Sequence, residues 1–299
     1  MEKNPFSLFD FFGYVFPGAF ALFVFLYFAE AMTLNDDSLV SLECLTLVCS
    51  RTFTYVEDGN ALVITSIFML LSYIVGHIIA YLSSLTIERF VIWWYGYPSE
   101  FLLKRVGKWH VLHEGRCILK EKKHYYGVAL IRTYLLRFLV GLLLFPISIP
   151  TLFIKLLGCE NFFTKTLDDY LIDSIMFKRK KMAEHLNLPD STSYENVDYH
   201  RVIYHYVYEN SENHRQKLDN YVALYDFLRS MTLIFDGIFV FLVIYGIVKA
   251  VSMESFGCLD WTCLLVLLCV TYLFYMSFFK FYRRFTLEAF MGLVSSTKI

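Results

Sequence analysis

The sequence is poor in charge. Charged residues make up only 18% of the 299 residues, whereas hydrophobic residues make up 57%. So little polar surface cannot cover a water-soluble globule of this size, and long apolar stretches are typical of chains that lie in a bilayer. The composition therefore excludes an ordinary soluble domain and predicts an integral membrane protein. The formal net charge of −1 gives no reason to expect a nucleic-acid partner.

Familiar catalytic motifs are also missing. The chain has no phosphate-binding glycine loop, no G-x-S-x-G elbow, no H-E-x-x-H pair and no kinase motif set. Its seven cysteines include no C-x-x-C pair. Of these, Cys44 and Cys49 are the two that we expect to be able to pair, if their loop faces an oxidising compartment.

One short array of possible metal ligands deserves a test. His110, His113 and Cys117 form an H-x-x-H-x-x-x-C pattern, with Glu114 beside it. Two histidines three apart can share a helical face and bind zinc, but this spacing matches no strong signature and a fourth ligand is not evident. We therefore predict no metal and no cofactor.

What the sequence has in abundance is long hydrophobic runs. Runs that are long enough to cross about 30 Å of hydrocarbon occur at residues 8–29, 61–83, 231–251 and 261–280. The first run is too long for the core of a cleaved signal peptide, so we expect it to be a retained anchor. The pattern predicts an all-α membrane protein with four transmembrane helices.

A fifth apolar segment, residues 134–158, is ambiguous. It contains Pro146 and Pro150, and each proline removes a helical hydrogen bond that lipid cannot replace. If this segment crossed, the basic run at residues 178–181 would lie outside the cell, against the positive-inside tendency. We therefore expect a re-entrant hairpin or an interfacial helix pair, bent at the two prolines.

The distribution of charge predicts the orientation. Residues 30–60 hold six acidic residues and one basic residue, whereas residues 84–133 hold nine basic residues. Because basic segments stay in the cytoplasm, residues 30–60 should form an external loop and both termini should be cytoplasmic. The predicted organisation has transmembrane helices one and two in residues 1–83, a helical cytoplasmic insert in 84–230, and helices three and four with a cytoplasmic tail in 231–299.

A proline interrupts the first apolar run. Pro17 cannot donate a hydrogen bond to the carbonyl of Gly13, so this helix should bend near its cytoplasmic end. Counting 1.5 Å per residue from the cytoplasmic ends of the second and third predicted spans puts His77 and Asp236 at a similar depth. Gly13, Tyr14, Pro17, His77 and Asp236 are therefore our candidates for a polar layer inside the membrane.

This layer has two interpretations. Its residues could line a polar gate, since an acid inside a membrane is expensive and must face the bundle interior. They could equally form a buried contact that holds the helices together, as polar side chains between membrane helices often do. Helix packing and an ion pathway account equally well for polar residues that share one face of a helix.

Other polar groups lie in the insert. The basic run Lys178, Arg179, Lys180 and Lys181 should attract anionic lipid headgroups, or else dock a partner. His200, His205 and His214 precede the third span, on a pattern that is helical from Tyr199 into the membrane. We expect those histidines to be solvated or packed rather than catalytic.

Three stretches carry a resemblance to known proteins: FDFFGYVFPGAFALF, SYIVGHIIAYLSSLTIERF running into WYGYPSEFLLK, and NSENHRQKLDNYVALYDFLRSMTLIF. Together they resemble a loosely defined set of uncharacterised bacterial inner-membrane proteins, some of which accompany anti-phage defence genes. The resemblance implies an effector in the bacterial inner membrane that perturbs the envelope when a cytoplasmic signal engages it. It names no ligand and no site.

The resulting functional expectation is an oligomeric membrane effector that gates permeability on a cytoplasmic signal. Its expected partners are membrane lipids, further copies of the chain and a possible cytoplasmic protein. One alternative is a non-conducting scaffold that recruits a cytoplasmic partner. Another is a lipid-modifying membrane enzyme that uses His77 or the pair His110 and His113.

Overall fold

A computed structural model describes residues 10–33, 50, 61–105, 126–158, 165–188, 200–252 and 258–296. Every regular element in these ranges is helical, which confirms the predicted all-α class. A π-helical turn, Phe11–Val15, leads into α1, and a second one, Ser84–Glu88, joins α2 to α3. The α-helices are α1 (Phe16–Thr33), α2 (Ala61–Ser83), α3 (Arg89–Tyr95), α4 (Pro98–Leu102), α5 (Tyr126–Leu143), α6 (Phe145–Leu156), α7 (Asp169–His185), α8 (His200–Asn210), α9 (Glu212–Val251) and α10 (Cys258–Ser295).

Four helical stretches of the described chain are long and apolar enough to cross a membrane. They span Phe11–Ala31, Ala61–Leu102, Glu212–Val251 and Asp260–Ser295. The last three contain the predicted runs 61–83, 231–251 and 261–280, and the first overlaps the run 8–29 from Phe11 onward, so the expectation of four candidate spans is confirmed. This is the pattern of a multi-pass membrane protein.

The ambiguous segment forms a bent pair of helices. The helix axis bends by 104° between its two arms, Ile131–Leu143 and Phe145–Leu156. The break lies next to Pro146, where a bend was predicted, but Pro150 lies inside α6 and does not end it. A pair of this shape is either a broken span or a re-entrant segment. The re-entrant form stays a prediction.

The long helix predicted from Tyr199 into the third span is divided. α8 ends at Asn210, and α9 then continues for 40 residues. Ser211 separates the two helices, and its backbone N–H donates to the carbonyl of Val207 at 3.0 Å.

The chain divides into two compact units. Unit 1 comprises residues 1–88, 143–150 and 226–277, and unit 2 comprises 89–142, 151–225 and 278–299. Unit 1 therefore contains the predicted spans and the turn between the two bent helices. The last 22 residues, which the hydropathy pattern groups with the spans, belong to unit 2. Helices α9 and α10 each contribute residues to both units.

In unit 1, α1 and α2 pack closely through small residues. The buried positions of α2 are Ser72, Gly76, Ala80 and Ser83, which follow each other at helical spacing. A Cβ atom at Gly76 would overlap the backbone carbonyl of Tyr14, and one at Gly18 would overlap that of Ser72. Only glycine allows this approach, which is how small residues join membrane helices. The other faces of α2 expose leucine and isoleucine side chains, as a lipid-facing surface does.

In unit 2, short helices pack around a buried apolar core. Fully buried members include Leu102 of α4, Met182 of α7 and Ile203 of α8. The backbone N–H of Leu167 donates to the carbonyl of Leu102 at 3.1 Å, so the chain before α7 is joined to the end of α4. Phe279 of α10 stacks on Tyr95 of α3 with ring centroids 4.9 Å apart.

The close approach at Gly76 makes a testable prediction. Gly76→Ala should lower stability by about 1–3 kcal/mol, because the new methyl group overlaps backbone atoms that cannot move aside alone. Thermal unfolding of the detergent-purified chain measures the change. Gly237→Ala is the matched control, since a Cβ there meets nothing within 4 Å. Equal melting temperatures for the two variants would contradict the packing described here.

Candidate functional site

The helix irregularity predicted at Pro17 takes the form of a π-helical turn. The N–H of Phe16 donates to the carbonyl of Phe11, five residues back, and Gly13 is buried inside this turn. Pro17 lies in the first turn of α1, which begins at Phe16, and it has no N–H to donate. Single π-helical turns inside longer helices are frequent at functional sites.

This turn brings Tyr14 onto His77. The two rings stack with centroids 3.9 Å apart and planes inclined by 19°. Tyr73, one turn earlier on α2, meets the edge of His77 with ring centroids 4.5 Å apart. The glycine contact at Gly76 holds the backbone of the turn against α2 and so fixes this stack. The predicted association of Tyr14 with His77 is therefore present.

A buried ion-pair cluster lies near this stack. Arg229 of α9 is only 7% exposed, and its guanidinium pairs with the carboxylates of Glu88 and Asp226. The nitrogen–oxygen distance to Asp226 is 2.7 Å, and the Nε atom of Arg229 donates to the Ser83 hydroxyl at 3.2 Å. We call these four residues the arginine cluster. It joins α9 to the end of α2 and to the π-helical turn that follows α2.

Aromatic contacts give the register between α1 and α9. Phe16 meets Phe227 with ring centroids 5.7 Å apart, and Phe20 meets Phe235 at 5.5 Å. Tyr14 therefore lies near the level of residues 227–229, and His77 lies with it. The arginine cluster occupies the same level.

Asp236 lies in a different layer. Asp236 directly follows Phe235 on α9. Phe235 contacts Phe20 of α1, and Phe20 lies six residues beyond Tyr14. At 1.5 Å per residue, this separates Asp236 from the level of His77 by about 9 Å along the helices. The described contacts of the His77 ring are with Tyr14 and Tyr73, and the expected pairing with Asp236 is not formed.

The structure therefore brings Gly13, Tyr14, Pro17 and His77 together at one level of unit 1 and places Asp236 at another. A gating role for these residues stays a prediction.

Asp236 is buried without a full set of partners. It is 1% exposed, and its Oδ1 atom has no hydrogen-bond partner within the described ranges. Phe235 contacts Phe274 of α10 with ring centroids 5.0 Å apart, which places Thr271, one turn before Phe274, near the same level. The Oγ1 atom of Thr271 is also buried and lacks a partner in the described chain.

Three aromatic rings lie next to Asp236. Phe235 touches Phe20 on one side and Phe274 on the other, and we call these three residues the aromatic layer. Because Phe235 directly precedes Asp236, the aromatic layer lies at nearly the same level as the acid, about 9 Å along α9 from Arg229. Unit 1 thus has a polar cluster at one level and, at another, a partly unsatisfied acid with aromatic side chains beside it.

The basic run of α7 lies in unit 2 and is divided around the helix. Lys178 is half-buried, and its ammonium donates to the carbonyl of Ser296 at 2.7 Å. Lys180 and Lys181 are exposed, and the ammonium of Lys181 lies 4.9 Å from the ring centroid of Phe177. Arg179 is half-buried. A headgroup or partner role for the four residues stays a prediction.

The remaining candidates fall outside the described ranges. These are the array of His110, His113, Glu114 and Cys117, and the cysteine pair Cys44 and Cys49. Within the described ranges, no group of three or more histidine, cysteine, aspartate or glutamate side chains is placed to hold a metal ion.

Sequence reasoning missed the arginine cluster. The available signal was helical spacing: Glu88 follows His77 and Ser84 on one polar face, and Arg229 lies with Tyr225 and Asp236 on another. A stripe identifies the face on which a residue lies, but it does not identify the partner on another helix.

Comparisons of this chain with family models, with curated proteins and with solved structures found no match.

The arginine cluster makes a second prediction. Arg229→Ala should destabilise the protein by about 3–5 kcal/mol, because it leaves two shielded carboxylates without their cation. Thermal unfolding in detergent measures this effect.

Lys104→Ala is the matched control for that experiment. It breaks the exposed pair of Lys104 with Asp169, whose side chains are 45% and 85% exposed, and should cost less than about 1 kcal/mol. An Arg229→Ala melting temperature no lower than that of Lys104→Ala would show that the cluster does not hold α9 in place.

Proposed function

We propose that this protein controls the permeability of a membrane, with a closed state that the aromatic layer maintains. The observation that carries the proposal is Asp236, a buried acid within a candidate span with one carboxylate oxygen left without a partner. An ionisable side chain inside a membrane is costly, and such residues mark ion and proton pathways in membrane proteins.

The aromatic layer supplies the barrier in this mechanism. Phe20, Phe235 and Phe274 form an apolar layer beside Asp236, and apolar constrictions close a pathway by excluding water. Opening separates these rings and admits water to the carboxylate of Asp236 and the hydroxyl of Thr271. Hydration satisfies both polar groups, which offsets part of the loss of ring contacts.

In this mechanism the arginine cluster, like the aromatic layer, changes between two arrangements when the pathway opens. Arg229 lies on α9, seven residues before Asp236, so both move with this helix. A change in the pairing of Arg229 with Glu88 and Asp226 would move the ring of Phe235 as well. Such discrete repacking is how a local signal becomes a larger change in a packed structure.

The signal enters through the cytoplasmic part of the chain in this proposal. Residues 212–225 of α9 belong to unit 2, while Arg229 and Asp236 belong to unit 1, and the helix is continuous between them. The biological setting that we propose, anti-phage defence at a bacterial inner membrane with both termini cytoplasmic, follows from the resemblance noted in the sequence. So does assembly into an oligomer.

Proteoliposomes loaded with a fluorescent ion reporter test the proposal without knowledge of the signal. Phe235→Ala removes the central ring of the aromatic layer and should raise the leak about tenfold over the unaltered chain, which corresponds to a shift of about 1.4 kcal/mol toward the open state. Adding Asp236→Asn to this variant should reduce the leak again, because the charged group that water and ions follow is removed.

Phe239→Ala is the matched control for the leak experiment. Phe239 lies one turn further along α9 and packs on Phe145, outside the aromatic layer. Phe235→Ala vesicles that leak no more than Phe239→Ala vesicles, at equal protein content and melting temperature, would refute a barrier at this layer. Stoichiometric co-purification of a soluble protein without any leak would support the scaffold alternative instead.

A further inference from the structure

Unit 2 contains a serine, a histidine and a glutamate joined in a chain. The hydroxyl oxygen of Ser295 lies 3.2 Å from Nε2 of His214. On the other side of the same ring, Nδ1 of His214 lies 2.8 Å from Oε1 of Glu288. His214 belongs to α9, while Glu288 and Ser295 belong to α10, at the end of the described chain.

The two contacts of the His214 ring fit one tautomer. A carboxylate accepts a hydrogen bond, so Nδ1 of His214 carries a proton and donates to Glu288. In the neutral ring the lone pair of Nε2 then faces the hydroxyl of Ser295, which also lies within donating distance, 3.3 Å, of the carbonyl of Gly292. Hydroxyl, imidazole and carboxylate in this order are the arrangement by which enzymes activate a serine nucleophile, on many unrelated folds.

Helical spacing brings the groups together. Glu288, Gly292 and Ser295 are four and three residues apart, so they lie along one stripe of α10. A Cβ atom at Gly292 would overlap the Cγ1 atom of Val207 and would lie 3.3 Å from Cγ of His214. The missing side chain therefore lets the imidazole lie flat against α10, level with the serine.

The surroundings differ for each member of the chain. The side chains of His214 and Glu288 are 19% and 16% exposed, which shields the base and its positioning carboxylate. Ser295 is exposed, so a substrate can reach its hydroxyl from water. The ammonium of Lys217 lies 3.3 Å from the Oε1 atom of Glu288 and forms an ion pair with it.

A second cation lies next to the serine. The ammonium of Lys178 donates to the carbonyl of Ser296, one residue beyond Ser295. Its flexible stem lets it turn toward negative charge that develops beside the serine, as the oxyanion of acyl transfer requires.

We propose that Ser295 is the nucleophile of an acyl-ester hydrolase site, with His214 as its general base and Glu288 as the positioning residue. Lys178 and Lys217 favour a water-soluble ester that carries a negative charge. The proposal is independent of the permeability mechanism, which depends on residues of unit 1.

The reaction balances without any further reactant besides water. The Ser295 oxygen bonds to the acyl carbon while its proton passes to Nε2 of His214. The bond from that carbon to the leaving alkoxide breaks, and His214 returns the proton to the alkoxide to give an alcohol. Water then adds to the acyl-serine with help from the same imidazole, which releases a carboxylic acid and restores the serine.

The test uses the full chain in detergent and a fluorophosphonate, a probe that forms a covalent bond to activated serines. Mass spectrometry of the labelled protein should locate the adduct on Ser295. Ser295→Ala should abolish labelling, and His214→Gln should slow it by about 100-fold, since a positioned general base contributes at least about that factor. Hydrolysis of p-nitrophenyl hemisuccinate should fall in parallel.

Two controls separate a reactive site from a structural contact between α9 and α10. Ser174→Ala should leave labelling unchanged, because the Ser174 hydroxyl donates to the carbonyl of Tyr170 and is also at the surface of unit 2. Asp236→Asn should also leave labelling unchanged, which keeps this result distinct from that of the leak experiment. An unlabelled Ser295 in the folded chain, or equal labelling rates with and without His214, would overturn the proposal and leave a structural hydrogen bond.

Discussion

The constraint on which this structure depends is that polar groups inside a membrane must find partners within the protein. Arg229 meets this constraint with two carboxylates and a hydroxyl from neighbouring turns. Asp236 does not meet it fully, since one of its carboxylate oxygens is left without a partner in the described chain. The first residue joins α9 to α2, and the second carries the permeability mechanism that we propose.

The close approach of α1 and α2 serves the same constraint. Gly18 and Gly76 let the two backbones approach so nearly that the π-helical turn before Pro17 lies against α2. Gly13, whose carbonyl Pro17 leaves without its usual donor, is buried in this turn. The same contact stacks Tyr14 on His77, so one packing device shapes both the irregular turn and the aromatic contact beside the arginine cluster.

Much of this fold could be predicted from the sequence because hydropathy dominates it. The runs at 61–83 and 231–251 fall within helices of the structure, and the break beside Pro146 follows from the chemistry of proline. Depth was harder to predict. Hydropathy gives the length of each apolar run but not which residues of two different helices lie level with each other, and so His77 was assigned to the level of Asp236.

Partners between helices were also beyond the reach of the sequence. A helical stripe tells which side of α9 carries Arg229, but the choice of Glu88 depends on the packing of α2 against it. The contact of His214 with Ser295 joins residues that are 81 positions apart, and no short motif surrounds either one. Helical periodicity shows on which side of its own helix a residue lies. A site built from two helices also depends on how closely, and in what register, those helices pack.

Cysteine cross-linking with a short bifunctional thiol reagent measures the helix register most directly. In a chain without its native cysteines, cysteines at positions 20 and 235 replace two rings whose centroids lie 5.5 Å apart, and the reagent spans the gap that the two shorter side chains leave. We expect it to cross-link this pair efficiently, and to leave a pair at positions 13 and 236 unlinked. Efficient cross-linking of 13 with 236, and none of 20 with 235, would return Asp236 to the layer of His77 and contradict the two-layer arrangement.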